Sequence, residues 1–325
     1  MSGKTLLITG GAGYLGRCTM DWLLRAGFTP ICVDNYSTGH RFEAPGIRTF
    51  EADLASATEV DALFEKLPPI QGIFHFAALA LVEESHREPA RYSHNNLQST
   101  INTAAKAAAL RVPFVHSSSC SVYGVPRTLP VTEESALGPI SPYGETKRGA
   151  EEILREFSSS QGLRVLNLRY FNPAGWIEGA DHGERHDPET HLIPNVVRAA
   201  VRNRTFSIFG NQYPTTDGTC VRDFLHVEDL ADGHLKAFEY LEAQSPGFFD
   251  CINLGSGTGH SVLQAAETCE RLLGKKFPIQ IQPPRPGDPP ALVASIEKAR
   301  RVLNWAPQRS FEEILRSQIT WEKRD

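Results

Sequence analysis

The sequence predicts an α/β protein: a doubly wound parallel sheet followed by a smaller α+β lobe. Three observations carry this. Short apolar runs alternate with stretches of helical periodicity through the first half of the chain, and strands separated by helices pair in parallel through crossover connections. A glycine-rich turn, Gly10-Gly11-Ala12-Gly13-Tyr14-Leu15-Gly16, joins the first run to the first helix. An acid, Asp34, closes the second apolar run.

Residues 4–9 (KTLLIT) read as the first strand, and helical periodicity follows from about Tyr14 to Ala26. Residues 30–34 give a second buried strand, and further strands are expected at 73–76, 113–116 and 165–170. Helical stretches intervene at 56–66, 90–110 and 143–160. Beyond Asn172 the pattern loosens. Residues 173–191 are rich in Gly, His, Asp and Glu and read as a long loop, and 211–220 and 283–290 are dense in turn residues. The boundary is placed at residue 172, with 1–172 as the first domain and 173–325 mainly a substrate lobe. Segments around Asp223–Tyr240 and Asn253–Gly257 are candidates to return to the first domain. The Ala104–Leu110 stretch and the apolar positions of 261–274 are expected to be core.

The 325-residue chain is 41% hydrophobic and 22% charged with a formal charge of -5. That balance gives no electrostatic case for nucleic acid or anionic membrane as a partner. No apolar run approaches the roughly 20 residues of a membrane-spanning helix. The N-terminus runs directly into a strand-like segment, with no room for a signal peptide. Six scattered cysteines without a CxxC pair suit reduced thiols. A soluble cytoplasmic protein is expected.

The glycine turn has the makings of a phosphate cradle. Gly10 permits the tight turn, Gly13 lets backbone approach a pyrophosphate, and Gly16 lets the helix pack closely, with the helix N-terminus facing the anion. The spacing is G-x-x-G-x-x-G. Asp34, about twenty residues on, is placed to bind ribose hydroxyls and disfavours a 2'-phosphate, so a Rossmann-type domain with NAD rather than NADP is expected. Asp53 follows another short strand; it either meets the adenine amino group or is an ordinary surface acid.

Tyr143 and Lys147 stand four apart, so on a helix their side chains share one face. A free phenol, with a pKa of about 10, is a poor base at neutral pH. A nearby cation favours the phenolate, and a hydroxyl from the Ser117-Ser118-Ser119 run can hold a substrate oxygen. The trio suits proton transfer at a carbinol while another group moves a hydride.

Loop, serine run and Y-x-x-x-K together resemble the extended short-chain dehydrogenase/reductase family. The segments Arg169–Pro173, Ile208–Asn211, Asp217–Ala231 and Arg285-Pro286-Gly287-Asp288 narrow the resemblance to UDP-glucose (UDP-galactose) 4-epimerases over nearly the whole chain. The resemblance implies Tyr143 as acid/base, Lys147 as its tuner and a nicotinamide-ribose contact, and Ser119 as hydrogen-bond partner of the reacting oxygen. It also implies NAD contacts from Gly10, Gly13, Tyr14, Leu15, Gly16, Asp34, Asn35, Tyr36, Ser37, Thr38 and Gly39. Further contacts are implied from Asp53, Leu54, Phe76, Ala77, Ala78, Leu79, Ala80, Asn95 and Phe171. Besides Ser119 and Tyr143, substrate contacts are implied from Asn172, His191, Leu192, Phe209, Arg222, Arg285 and Leu292. The two arginines make sense independently, because guanidinium forks suit a diphosphate.

Departures from the family pattern are informative. Ala80 stands where many such epimerases carry a lysine. His191 replaces an asparagine found in some, where a neutral imidazole still hydrogen-bonds. Leu292 takes the place of a bulky tyrosine that faces the sugar 2-substituent. Cys120 and Ser121 fall where sugar-nucleotide 4,6-dehydratases carry acids, so elimination lacks its catalyst there. The expected activity is NAD-dependent interconversion of UDP-glucose and UDP-galactose through a 4-keto intermediate, in a homodimer. UDP-xylose/UDP-arabinose or UDP-N-acetylhexosamines are alternative substrates; a dehydratase or a non-catalytic NAD-binding protein is a more distant reading. His182 and His186 have finger-like spacing, but Asp181–Asp187 and His191 read as a polar loop with no metal site. His75 and His226 are expected to be hydrogen-bonded core histidines.

Overall fold

The computed structural model describes residues 3–186, 188–285 and 288–324. In chain order the first half runs β1 (Thr5–Thr9), α1 (Tyr14–Arg25), β2 (Thr29–Asp34), β3 (Arg48–Glu51), α2 (Ala57–Phe64), β4 (Gly72–His75), α3 (Val82–Arg87), α4 (Pro89–Leu110), β5 (Phe114–Ser119), a 3-10 turn at Cys120–Tyr123, α5 (Pro142–Gln161) and β6 (Val165–Tyr170). The second half continues β7 (Pro173–Ala174), α6 (Leu192–Arg202), β8 (Phe206–Phe209), β9 (Val221–Asp223), β10 (Leu225–His226), α7 (Val227–Glu242), β11 (Phe249–Leu254), β12 (Gly259–Ser261), α8 (Val262–Leu273), β13 (Ile279–Gln282), β14 (Ala291–Leu292), α9 (Glu297–Leu303) and α10 (Phe311–Glu322).

Seven strands form one parallel sheet in the order β11-β6-β5-β4-β1-β2-β3. Leu6, Leu7 and Ile8 of β1 are fully buried, as a strand covered on both faces requires, and this is why the inner strands read as unbroken apolar runs. On one face Leu6, Ile8, Met20, Leu23, Phe74 and Phe238 pack together, joining α1 and α7 to the sheet. On the other, Leu7, Val33, Ala104, Phe114 and Leu154 pack α4 and α5 onto it. The chain returns to this sheet after residue 172: β11 pairs with β6 from Phe249↔Val165 to Leu254↔Tyr170. A smaller lobe gathers α6, α8 and α10 around Ile193, Val197, Ile208, Phe224, Ala265 and Leu315. Among the described residues no helix is long and apolar enough to cross a membrane.

One strand exceeds its expected length. β5 runs to Ser119 rather than stopping at residue 116, because the serines keep pairing with β6, Ser117↔Leu168 through Ser119↔Tyr170. Short hydroxyls look like turn residues in a sequence, but here buried β-pairing outweighs that preference. The extension carries Ser119 to the carboxyl end of the sheet. Ligands of open α/β sheets bind outside that end, where the strand order reverses; the reversal lies between β1 and β4.

Candidate active site

The glycine turn has the shape its sequence promised. Gly10 sits at φ +66°, and a Cβ there would lie 2.6 Å from the Ala77 backbone nitrogen. A Cβ on Gly16 would lie 2.4 Å from the Gly10 carbonyl oxygen. Gly13 differs, since its added Cβ would meet only that same oxygen, at 3.4 Å. Gly13 is also the N-cap of α1 and offers no capping side chain, so the first-turn N–H groups are left for an anion. Asp34 braces the turn: its carboxylate accepts the Ala12 N–H at 2.9 Å and the Tyr36 N–H at 2.8 Å. Burial pushes its carboxyl up, against those hydrogen bonds. The phenol of Tyr14 donates to the Gly175 carbonyl at 2.5 Å, linking the turn to the second half of the chain.

A cavity of about 1170 Å³ runs from this turn to the smaller lobe. Of the residues expected at the site, all but Tyr36, Gly39, Phe171 and Leu292 line it. Those four need a different account. The Tyr36 ring is covered by the Arg41 guanidinium at 4.3 Å. Gly39 lies against Ala12, where a Cβ would come within 2.9 Å of the Ala12 side chain. Phe171 and Leu292 are buried with Val122, Tyr123 and Ala294 in a small apolar cluster. Leu292 therefore packs away from the cavity, because an aliphatic side chain gains more from that cluster than from a polar wall.

Tyr143 opens α5, whose N-cap Ser141 accepts the Gly144 N–H at 3.1 Å. One turn on, Lys147 is 4% exposed and donates to the Ser117 carbonyl at 2.6 Å. Its ammonium stands 5.9 Å from the Tyr143 ring centre. Burial lowers Lys147 to about 8. Burial also pushes Tyr143 up to about 12, with the Ser119 hydroxyl pulling the other way. The expectation that Lys147 lowers the phenol is thus not met by the protein's own groups: the ammonium is aimed at a carbonyl, and desolvation wins. Ser119 accepts the Ser121 N–H at 3.1 Å and donates to the Ser121 hydroxyl at 3.1 Å. Cys120, beside it, is pushed up to about 12 by burial and is no acid.

Beneath the trio lies a charged layer that the sequence reading missed. Glu151, 4% exposed, accepts the Ser118 hydroxyl at 2.5 Å and is gripped by Arg169 through Nε at 2.9 Å and Nη2 at 2.7 Å. Arg169 also donates to the Tyr123 hydroxyl at 2.9 Å, and that phenol donates to Asn253 at 2.7 Å. The signal was present, because Glu151 lies four residues after Lys147 on the same helix face. Asn96, next to the expected Asn95, is a second omission. It accepts the Leu79 N–H at 2.8 Å and donates to Thr146 at 3.0 Å, fixing the cavity wall to α5. His75, held by Thr9 and Thr100, is lowered to about 3 by burial and stays neutral. His226 caps α7 and is lowered to about 4 in the same way.

At the far end, Arg222 donates to the Val221 and Pro289 carbonyls and lies 3.4 Å from Asp288. The Arg285 guanidinium stacks 4.0 Å over the Phe209 ring; Pro286 and Gly287 of its segment lie outside the described residues. Asn172, at φ +37°, donates to the Asp223 carbonyl at 2.8 Å. Ala80 is exposed on the cavity wall. His191 is not the neutral imidazole expected. Burial opposes its charge, but the carboxylates of Glu184 and Glu189 push it up to about 10. His182 and His186 do not converge: His182 meets Asp21 at 2.8 Å, while His186 turns toward His191. Asp187 lies outside the described residues.

Residues 6–255 match the NAD dependent epimerase/dehydratase family. The chain is 42% identical to the UDP-glucose 4-epimerase of Rhizobium leguminosarum bv. trifolii, across 99% of this chain and 98% of that one. The UDP-glucose 4-epimerase of Brucella ovis, solved in complex with NAD, superposes with a TM-score of 0.92 at 38% identity, covering 98% of both chains. That of Bifidobacterium longum, solved with NAD+ and UDP, gives 0.91 at 34%, covering 99% of both. Fold, cavity and full-length similarity agree, and the chain belongs to the NAD dependent epimerase/dehydratase family.

Proposed function

We propose that this protein is an NAD-dependent UDP-sugar 4-epimerase that interconverts UDP-glucose and UDP-galactose. The observation that carries the proposal is one continuous cavity with a glycine turn at one end, Ser119, Tyr143 and Lys147 in its wall, and Arg222 and Arg285 at the other end. The residues fit NAD: Gly13 leaves the α1 N-terminus open to a pyrophosphate, and Asp34, at the end of β2, would meet the ribose hydroxyls. Bound NAD supplies the acceptor and donor of a hydride. Acting from its phenolate, a form that added positive charge in the cavity would favour, Tyr143 takes the proton from the sugar 4-hydroxyl and returns it, and Ser119 holds that oxygen. Lys147, fixed by the Ser117 carbonyl at 2.6 Å, would contact the nicotinamide ribose. The arginines grip the diphosphate while the sugar end turns to present either face of C4. Neither Cys120 nor Ser121 supplies the additional acid that a dehydratase needs.

The same reading extends to a homodimer paired through α4 and α5, which lie side by side on one face of the sheet. Light scattering tests it, with a dimer giving twice 35.9 kDa. It extends also to the cytoplasm, supported by six buried, unpaired cysteines. The activity is tested by incubating the protein with UDP-galactose and, in parallel, UDP-N-acetylgalactosamine, and resolving products by NMR. UDP-glucose is expected from the first, and failure to form it rejects the proposal.

A further inference from the structure

The loop entering α6 brings four metal-binding side chains together. Ligand atoms of Glu184, His186, Glu189 and His191 all lie within 4.8 Å of one another. His191 Nδ1 is 3.0 Å from oxygens of both Glu184 and Glu189. His186 Nδ1 is 3.6 Å from Glu184 and 3.5 Å from Glu189. Tetrahedral zinc with bonds of about 2.1 Å separates its ligand atoms by about 3.4 Å, so the His–Glu contacts already match such a shell, and the wider pairs, up to 4.8 Å, must draw in on binding.

A hydrogen-bonded ion-pair network is the competing account, and it leaves atoms unexplained. Glu184 Oε2 is buried without a hydrogen bond, and Glu189 Oε2 and His186 Nδ1, which face each other at 3.5 Å, make none either. The carboxylate side chains of Glu184 and Glu189 are each only 2% exposed, and a charged His191 imidazole between them balances one of the two negative charges, whereas a divalent metal displacing its proton would balance both. The remaining Glu189 oxygen accepts the Thr190 and His191 N–H groups, both at 2.9 Å, which orients the carboxylate for a ligand. The histidine side chains, 30% and 44% exposed, leave a path of entry.

We propose that Glu184, His186, Glu189 and His191 form a binding site for a divalent transition metal, with zinc as the metal its two-imidazole, two-carboxylate set favours. Four protein ligands make it a structural site. It fixes the rim of the cavity, since Glu184, His186 and His191 also line that cavity. Metal there engages His191, in place of the sugar-nucleotide contact the sequence suggested. The inference is independent of the proposed reaction.

Chelator-treated full-length protein, dialysed against zinc and gel-filtered, is expected to carry about one zinc per chain. A His186→Ala/Glu189→Gln variant is expected to carry less than a tenth of that. Cobalt loaded into the wild-type protein reports the ligands without any variant. Tetrahedral visible bands lacking sulfur-to-cobalt charge transfer are expected, which separates this site from the cysteines. Absence of stoichiometric zinc in the wild type, thiolate bands in the cobalt spectrum, or full retention of zinc by the variant would overturn the proposal.

Discussion

Tyr143 and Lys147 share one buried face of α5, and burial drives their pKa values apart, to about 12 and about 8. Tyr143→Phe removes the proton carrier and leaves the packing, so kcat should fall by about 10²- to 10⁴-fold, the usual worth of a general acid/base, with NAD still retained. Steady-state rates and cofactor content of the purified variant check this. Lys147 supplies a separate pH signature. Its folded pKa lies below the value of about 10.4 expected in the unfolded chain. Between those values the unfolded state holds the extra proton, so stability should rise with pH from about 8 to about 10.4. Lys147→Met should abolish that rise in urea melts run across the range; an unchanged slope would contradict the assignment. The pair was legible because its spacing puts both side chains on one helix face, whereas the choice of Ser119 within the serine run rested on the family resemblance. Glu151 and Arg169 were less so, because their partnership crosses from a helix to a neighbouring strand and a sequence does not show which charges are buried together.

The turn between β1 and α1 gives each glycine a separate role. Gly16→Ala forces a methyl to within 2.4 Å of a backbone oxygen. It should destabilise the fold by about 1–3 kcal/mol, read from thermal or urea unfolding, and weaken NAD binding as well. Gly13→Ala meets nothing closer than 3.4 Å. It should keep near-wild-type stability and lose NAD affinity, measured by cofactor retention through gel filtration. Equal destabilisation by both substitutions would show the glycines to be structural only. The sequence resolved this element well, because its glycines sit between strand and helix where few conformations suffice. It resolved β5 less well, because the buried pairing that turns Ser117–Ser119 into strand is made with β6, fifty-one residues away. The polar loop from 181 to 191 showed its residue types, but not that two histidines and two glutamates meet.

The molecule as a whole works by spanning. The parallel sheet holds the turn and the Tyr143 trio, the smaller lobe holds Arg222 and Arg285, and one cavity connects them. Removing an arginine should therefore act on substrate and spare the cofactor. Arg222→Ala and Arg285→Ala should each raise KM for UDP-galactose by about tenfold or more, the worth of a charge-assisted hydrogen bond of about 1.5–3 kcal/mol, with NAD content unchanged. Sequence pattern gave the alternating first half, whereas the return of β11 to the sheet depends on a contact between residues some eighty apart. The central claim is a closed redox cycle in which Tyr143 takes up and gives back one proton while the hydride is returned to the same sugar carbon. It is tested most directly by incubating purified protein with UDP-galactose in D2O, with no added NAD, and following products by NMR. The account predicts UDP-glucose formed with hydrogen, not deuterium, at C4. Turnover that requires an added oxidant, or deuterium at C4, would contradict it.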